Sequence, residues 1–113
     1  MLKGDIMEIF ASNNRLTKNL SNQRSIIREY GKDRGNRIVA RLDEFKNANN
    51  LAEIPSDPPP RCHLLSGNLK NKFAVDVSKN YRIVFEGYDK DDNLSTKKSQ
   101  IVTVQITEIE DYH

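Results

Sequence analysis

Phe73-Ala74-Val75-Asp76-Val77-Ser78-Lys79-Asn80-Tyr81-Arg82-Ile83-Val84-Phe85-Glu86 decides the fold of this chain. Phe73, Val75 and Val77 alternate with Ala74, Asp76 and Ser78, the period of a strand with one buried face. Tyr81 to Glu86 reads as a second strand, and Asn80 supplies the tight turn between them. Two apolar runs of this length joined by a short polar turn predict an antiparallel hairpin.

Working outward, Ile101 to Ile109 alternates in the same way and predicts a final strand, and Arg61 to Leu65 predicts one before the hairpin. Gly87 to Gln100 is a long charged stretch, expected to be a mobile hairpin excursion. Upstream, Pro55-Ser56-Asp57-Pro58-Pro59-Pro60 predicts an extended, stiff crossover, with a ligand for an SH3-type domain as the other reading. Leu51-Ala52-Glu53-Ile54 reads as a short turn. Ile6 to Phe10 reads as a first strand, and Ser12 or Asn13 caps the helical segment after it. Leu16, Leu20, Ile26, Ile27 and Tyr30 form a helical stripe, interrupted near Ser21-Asn22 and closed by Gly31. A second helix is predicted from Asp33 to Asn49, burying Ile38, Val39, Leu42 and Phe45. The order is β-α-α-β-β-β-β: one α+β domain over residues 1–113, with a mostly antiparallel sheet and two N-terminal helices packed on one side.

At 113 residues, 36% of them apolar and 30% charged, the chain suits a single modest core. The net charge of +2 is a weak sign of nucleic acid, so the placement of charge matters more than its sum. Arg34, Arg37 and Arg41 fall at i, i+3 and i+7 of the second helix, with Arg24 and Arg28 nearby in sequence. The row is a solvated face, a phosphate contact or a dock for an acidic partner. Cys62, the one cysteine, cannot form an intramolecular disulfide and suits a reducing cytoplasm. Met1-Leu2-Lys3-Gly4-Asp5 leads into no apolar run, so no secretory signal is expected. No metal-ligand spacing and no phosphate-binding glycine loop occurs, so no cofactor is expected.

The sequence has two histidines, His63 and His113. Two imidazoles suit metal-free cleavage of an RNA phosphodiester: one takes the 2′-hydroxyl proton and the other gives a proton to the leaving 5′-oxygen. The plainer reading is a strand histidine and a tail histidine. Arg82 is a candidate for the transition-state charge, since a planar guanidinium pairs with two phosphoryl oxygens. Its alternative is an ion pair with Glu86 or Asp76. Asp111 is placed to orient an imidazole or an arginine, and Tyr112 to stack on a base. Lys70, Lys72 and Lys79 surround these motifs as backbone contacts or plain surface.

Three segments appear in order: His63-Leu64-Leu65-Ser66-Gly67, the Phe73–Phe85 hairpin, and Glu110-Asp111-Tyr112-His113. Together they resemble the HigB branch of the RelE/ParE toxin superfamily, the plasmid-maintenance killer proteins. That branch carries a His-Pro-Leu-Lys-Gly turn, a strand pair joined by Asn-Trp-Arg-Ile, and an Asp-Tyr-His end. The resemblance covers residues 61–113 in motif detail and the helical half in layout. It implies a RelE-like, microbial-ribonuclease-like fold and a ribosome-dependent, metal-independent mRNA endoribonuclease. It further implies the toxin of a type II toxin–antitoxin pair, blocked by a HigA-like antitoxin protein. The catalytic residues implied are His63, Arg82, Asp111, Tyr112 and His113. The chain departs from the pattern at Leu64 for proline, Ser66 for lysine and Tyr81 for tryptophan; Lys70 or Lys72 would have to supply the missing cation. The rival expectations are a ParE-like inhibitor of DNA gyrase without nuclease activity and an inactive relative. A DNA-binding antitoxin would need a helix-turn-helix module that the helical half does not offer.

Overall fold

The computed structural model describes residues 6–112. Strand β1 (Glu8–Ala11) is followed by three helices, α1 (Asn14–Asn19), α2 (Gln23–Tyr30) and α3 (Lys32–Lys46). Strands β2 (His63–Leu64), β3 (Phe73–Ser78), β4 (Tyr81–Tyr88), β5 (Leu94–Ser95) and β6 (Thr103–Asp111) complete the sheet. Its order is β1-β6-β4-β3-β2, with β5 pairing off β4. All pairings are antiparallel except β1 with β6, which is parallel, Glu8 opposite Thr103 through Ala11 opposite Ile106.

The α+β class and the mostly antiparallel sheet agree with the sequence reading, but there are three helices where two were expected. The interruption near Ser21-Asn22 is a full break. The Asn13 side chain caps α1 by accepting from Leu16 N at 2.9 Å, and Asn22 caps α2 by accepting from Ser25 N at 2.8 Å. Gly31, at φ 88°, then ends α2 and starts α3 in one residue. Gly35 lets α2 and α3 touch: a Cβ there would lie 2.9 Å from Ile27 Cα.

Ile38, Leu42 and Phe45 of α3 pack on Phe73, Val75, Ile83, Phe85, Val104 and Ile106, all at most 6% exposed. The rings interlock: Phe45 meets Phe85 edge-on at 5.2 Å, and Phe73 stacks on Phe85 at 5.7 Å. Each such pair adds about 0.5–1.5 kcal/mol beyond its area burial.

Two loops depart from expectation. The proline segment closes on itself instead of extending, with Arg61 N bonded to Asp57 O at 3.1 Å and Cys62 N to Pro55 O at 2.9 Å. The 87–100 excursion is folded onto the sheet. Its first residues extend β4, β5 pairs back on them, and Asp89 Oδ1 accepts from Asp91 N and Asn93 N. Lys98 Nζ donates to Cys62 O at 2.9 Å, and Ile101 beyond it is fully buried. No helix among the described residues is long and apolar enough to cross a membrane.

Candidate active site

Strand alternation sorts the sheet into two faces. Phe73, Val75, Ile83 and Phe85 face the helices. Ala74, Asp76, Arg82 and Val84 therefore face the other way, toward the side without helices. Across this open face His63 pairs with Ala74, Ala74 with Val84, and Val84 with Glu108; one step along, Asp76 pairs with Arg82 and Arg82 with Glu110. Two strand spacings, roughly 10 Å, separate the rows of His63 and Arg82 laterally.

Arg82 is locked to Glu110: Nε and Nη2 both donate to Oε2, at 2.7 and 2.6 Å. The pair is neither Glu86 nor Asp76. Glu86 lies four residues along the same strand, roughly 13 Å away, and accepts instead from the Tyr88 hydroxyl at 2.9 Å. Asp76 is directly opposite Arg82 but is held by Arg61, whose Nε and Nη2 donate to its two oxygens at 2.7 and 3.0 Å. That hydrogen-bonded carboxylate raises the pKa of the Arg61 guanidinium further. Arg61 has φ 46°, a left-handed backbone uncommon outside glycine, so its aim is imposed by the surrounding loop.

Tyr112 ties the two ion pairs together. Its ring lies 4.5 Å from the Arg82 guanidinium carbon. Its hydroxyl accepts from Arg61 Nη2 at 3.3 Å and donates to Asp76 Oδ1 at 3.5 Å. One ring face is thus already occupied by Arg82. His63 Nδ1 lies 2.7 Å from Arg61 O. A carbonyl oxygen only accepts, so Nδ1 carries the hydrogen and Nε2 is the nitrogen left for acid–base work.

The structure thus brings His63, Arg82 and Tyr112 to one face. Asp111 goes elsewhere: its register position opposite Tyr81 puts it on the helix face. His113 lies outside the described residues. Lys72, two residues before Ala74, shares the open face and reaches Thr107 Oγ1 at 3.4 Å, while Lys70 and Lys79 are exposed. Arg34 lies over the Tyr81 ring at 3.8 Å, and Arg37 is exposed. Arg41 is only 9% exposed and pairs with Glu44. It stands three residues after Ile38 and four before Phe45, at the margin of the buried stripe, and so leaves the solvated row.

Sequence reasoning missed Arg61 and Glu110 as members of this network. Glu110 was legible in principle, since residues two before and directly opposite share a face once the register is known. Arg61 was not, because a loop places it. Among the described residues no cluster of three His, Cys, Asp or Glu side chains is arranged to hold a metal ion.

The open sheet face and the helix layer match two solved structures. One is the YoeB/ParE toxin from Agrobacterium tumefaciens, at TM-score 0.55 and 6% identity, covering 95% of this chain and 100% of that one. The fold is that of the YoeB/ParE toxins. The other is the YoeB-YefM complex from Staphylococcus aureus, at TM-score 0.53 and 13% identity, covering 95% and 97%. No protein-family model matches the sequence, and no curated protein matches it.

Proposed function

We propose that the chain is the toxin of a type II toxin–antitoxin pair, a HigB-like, metal-independent endoribonuclease that cuts mRNA on the ribosome. The observation that carries this reading is the open sheet face, on which His63 Nε2, Arg82, Arg61 and Tyr112 converge around a surface free of helices. An extended RNA strand fits such a face, and the toxin fold supports the same reading.

In the proposed reaction one imidazole, His63 or His113, takes the proton of the 2′-hydroxyl. The 2′-oxygen bonds to phosphorus, the P–O5′ bond breaks, and the 5′-oxygen leaves with a proton from the other imidazole. Arg82 and Arg61 hold the phosphoryl oxygens as negative charge concentrates there. Lys72 supplies the cation that Ser66 cannot, with Lys70 and Lys79 on the flanking backbone. Tyr112 acts by orienting the two arginines, and Asp111 acts from the helix face. The partners are mRNA on the ribosome and an antitoxin, as the YefM bound to the staphylococcal YoeB suggests by analogy. Both place the protein in the cytoplasm.

One observation favours a second reading. Both arginines are already paired with carboxylates, which suits a toxin that acts by binding, such as a gyrase inhibitor. Primer extension on ribosome-bound mRNA, run beside a gyrase supercoiling assay, separates the two. Site-specific breaks in the mRNA with undisturbed supercoiling support the nuclease; the reverse pattern sinks it.

A further inference from the structure

A second basic site lies on the opposite face of the sheet from the candidate catalytic residues. Arg34 and Arg37 of α3 and Lys79 of the β3–β4 turn line a cleft of about 600 Å3, with Tyr30 and Asp33. Three cations face one carboxylate, so the cleft carries net positive charge. Its distinguishing feature is a flat surface: the Arg34 guanidinium lies 3.8 Å from the centroid of the Tyr81 ring. A guanidinium layered on an aromatic ring is a platform on which a base stacks, and stacking on such platforms tolerates any base. An acidic peptide would use the charges and have no use for the platform.

The cleft and the open face are neighbours. Tyr81 and Arg82 are consecutive on β4 and project to opposite faces. The β3–β4 turn separates the two sites, and Tyr112 N donates to Asn80 O in that turn at 2.9 Å. A strand lying on Arg82 and Tyr112 therefore needs only to cross Lys79-Asn80 to enter the cleft.

We propose that this cleft is a second RNA subsite, holding an unpaired nucleotide of the strand that crosses the open face. Its phosphate sits on Arg37 and Lys79, and its base on the Arg34–Tyr81 stack. Arg41, buried and paired with Glu44, takes no part. The inference rests on RNA being the substrate.

The test uses the full chain, a short fluorescein-labelled single-stranded RNA and anisotropy across a salt series. In Arg37→Glu/Lys79→Glu, affinity falls at least about tenfold and the slope of log affinity on log salt flattens by about 1.4, near 0.7 per phosphate contact. Lys90→Glu/Lys97→Glu makes the same charge change on exposed side chains of the 87–100 segment and leaves affinity within about threefold of wild type. His63→Ala binds as wild type does. Equal losses in the two charge-reversed variants, or no loss in the cleft variant, overturn the subsite. So does tighter binding of a polyglutamate peptide than of RNA at the same residues. Cleavage of ribosome-bound mRNA is read separately. Absent cleavage with cleft-dependent RNA binding removes the nuclease and keeps the subsite, and cleavage with cleft-independent binding does the opposite.

Discussion

Replacing Glu110 by glutamine tests whether Arg82 works on phosphate or merely braces the sheet. In the resting site the Glu110 carboxylate takes two donors of Arg82, and the side chains are 14% and 22% exposed. Bonds to a charged acceptor contribute about 1.5–3 kcal/mol. A neutral amide keeps part of that, so Glu110→Gln should lose on the order of 1 kcal/mol in urea unfolding. The carboxylate also opposes the phosphate. Two like charges about 7 Å apart at an effective dielectric constant near 20 repel by roughly 2 kcal/mol. That is a ceiling of about 30-fold in rate, and solvent at a partly open site reduces it to several-fold. Single-turnover cleavage of ribosome-bound mRNA should therefore hold or rise in Glu110→Gln. In Arg82→Lys it should fall at least tenfold, because lysine keeps the charge and loses the two-pronged geometry. Wild-type cleavage in Arg82→Lys, or a Glu110→Gln loss as deep as that of Arg82→Lys, refutes the reasoning.

His63→Ala and His113→Ala are each expected to cut cleavage at least tenfold with an unchanged melting curve, within the usual range of acid–base loss; full activity in both returns them to plain strand and tail residues. Gly35→Ala should destabilise the protein by about 1–3 kcal/mol in spite of alanine's helix preference, because the new Cβ meets the Ile27 backbone at 2.9 Å; a urea midpoint above wild type would show that α2 moves freely. Burial pushes the Cys62 thiol up to about 11, above its value in the unfolded chain. Its contribution to stability is therefore complete below about pH 8.5 and is lost as pH rises toward 11, on the order of 3 kcal/mol in all. Denaturation from pH 8 to 11 should show that decline in wild type and a shallower one in Cys62→Ala; parallel curves would exclude the thiol as the cause.

The hairpin from Phe73 to Phe85 was readable because one strand period and one short turn specify it locally. The helix ends were readable for the same reason, since Asn13, Asn22 and Gly31 act within a few residues of themselves. Parallel pairing of β1 with β6 was not, because no local pattern tells a strand which distant partner it takes. The ion pairs failed on the same ground. Arg82 had acidic candidates at Glu86 and Asp76 within a few residues of the hairpin, but the partner directly opposite it, Glu110, arrives from a strand far along the chain. Arg41 misled because helical spacing gives direction around an axis and says nothing of how near the sheet lies at that turn.

Strand β6 lies between β1 and β4, so β1 pairs with the sheet only through β6. As the polypeptide leaves the ribosome in order, β1 waits unpaired through the synthesis of everything between. Such distant pairing is slow to form. The same strand carries Glu110 and leads directly into Tyr112. A nascent or prematurely ended chain that lacks β6 thus lacks both the closed sheet and the clamp on Arg82, so folding and arming become a single event.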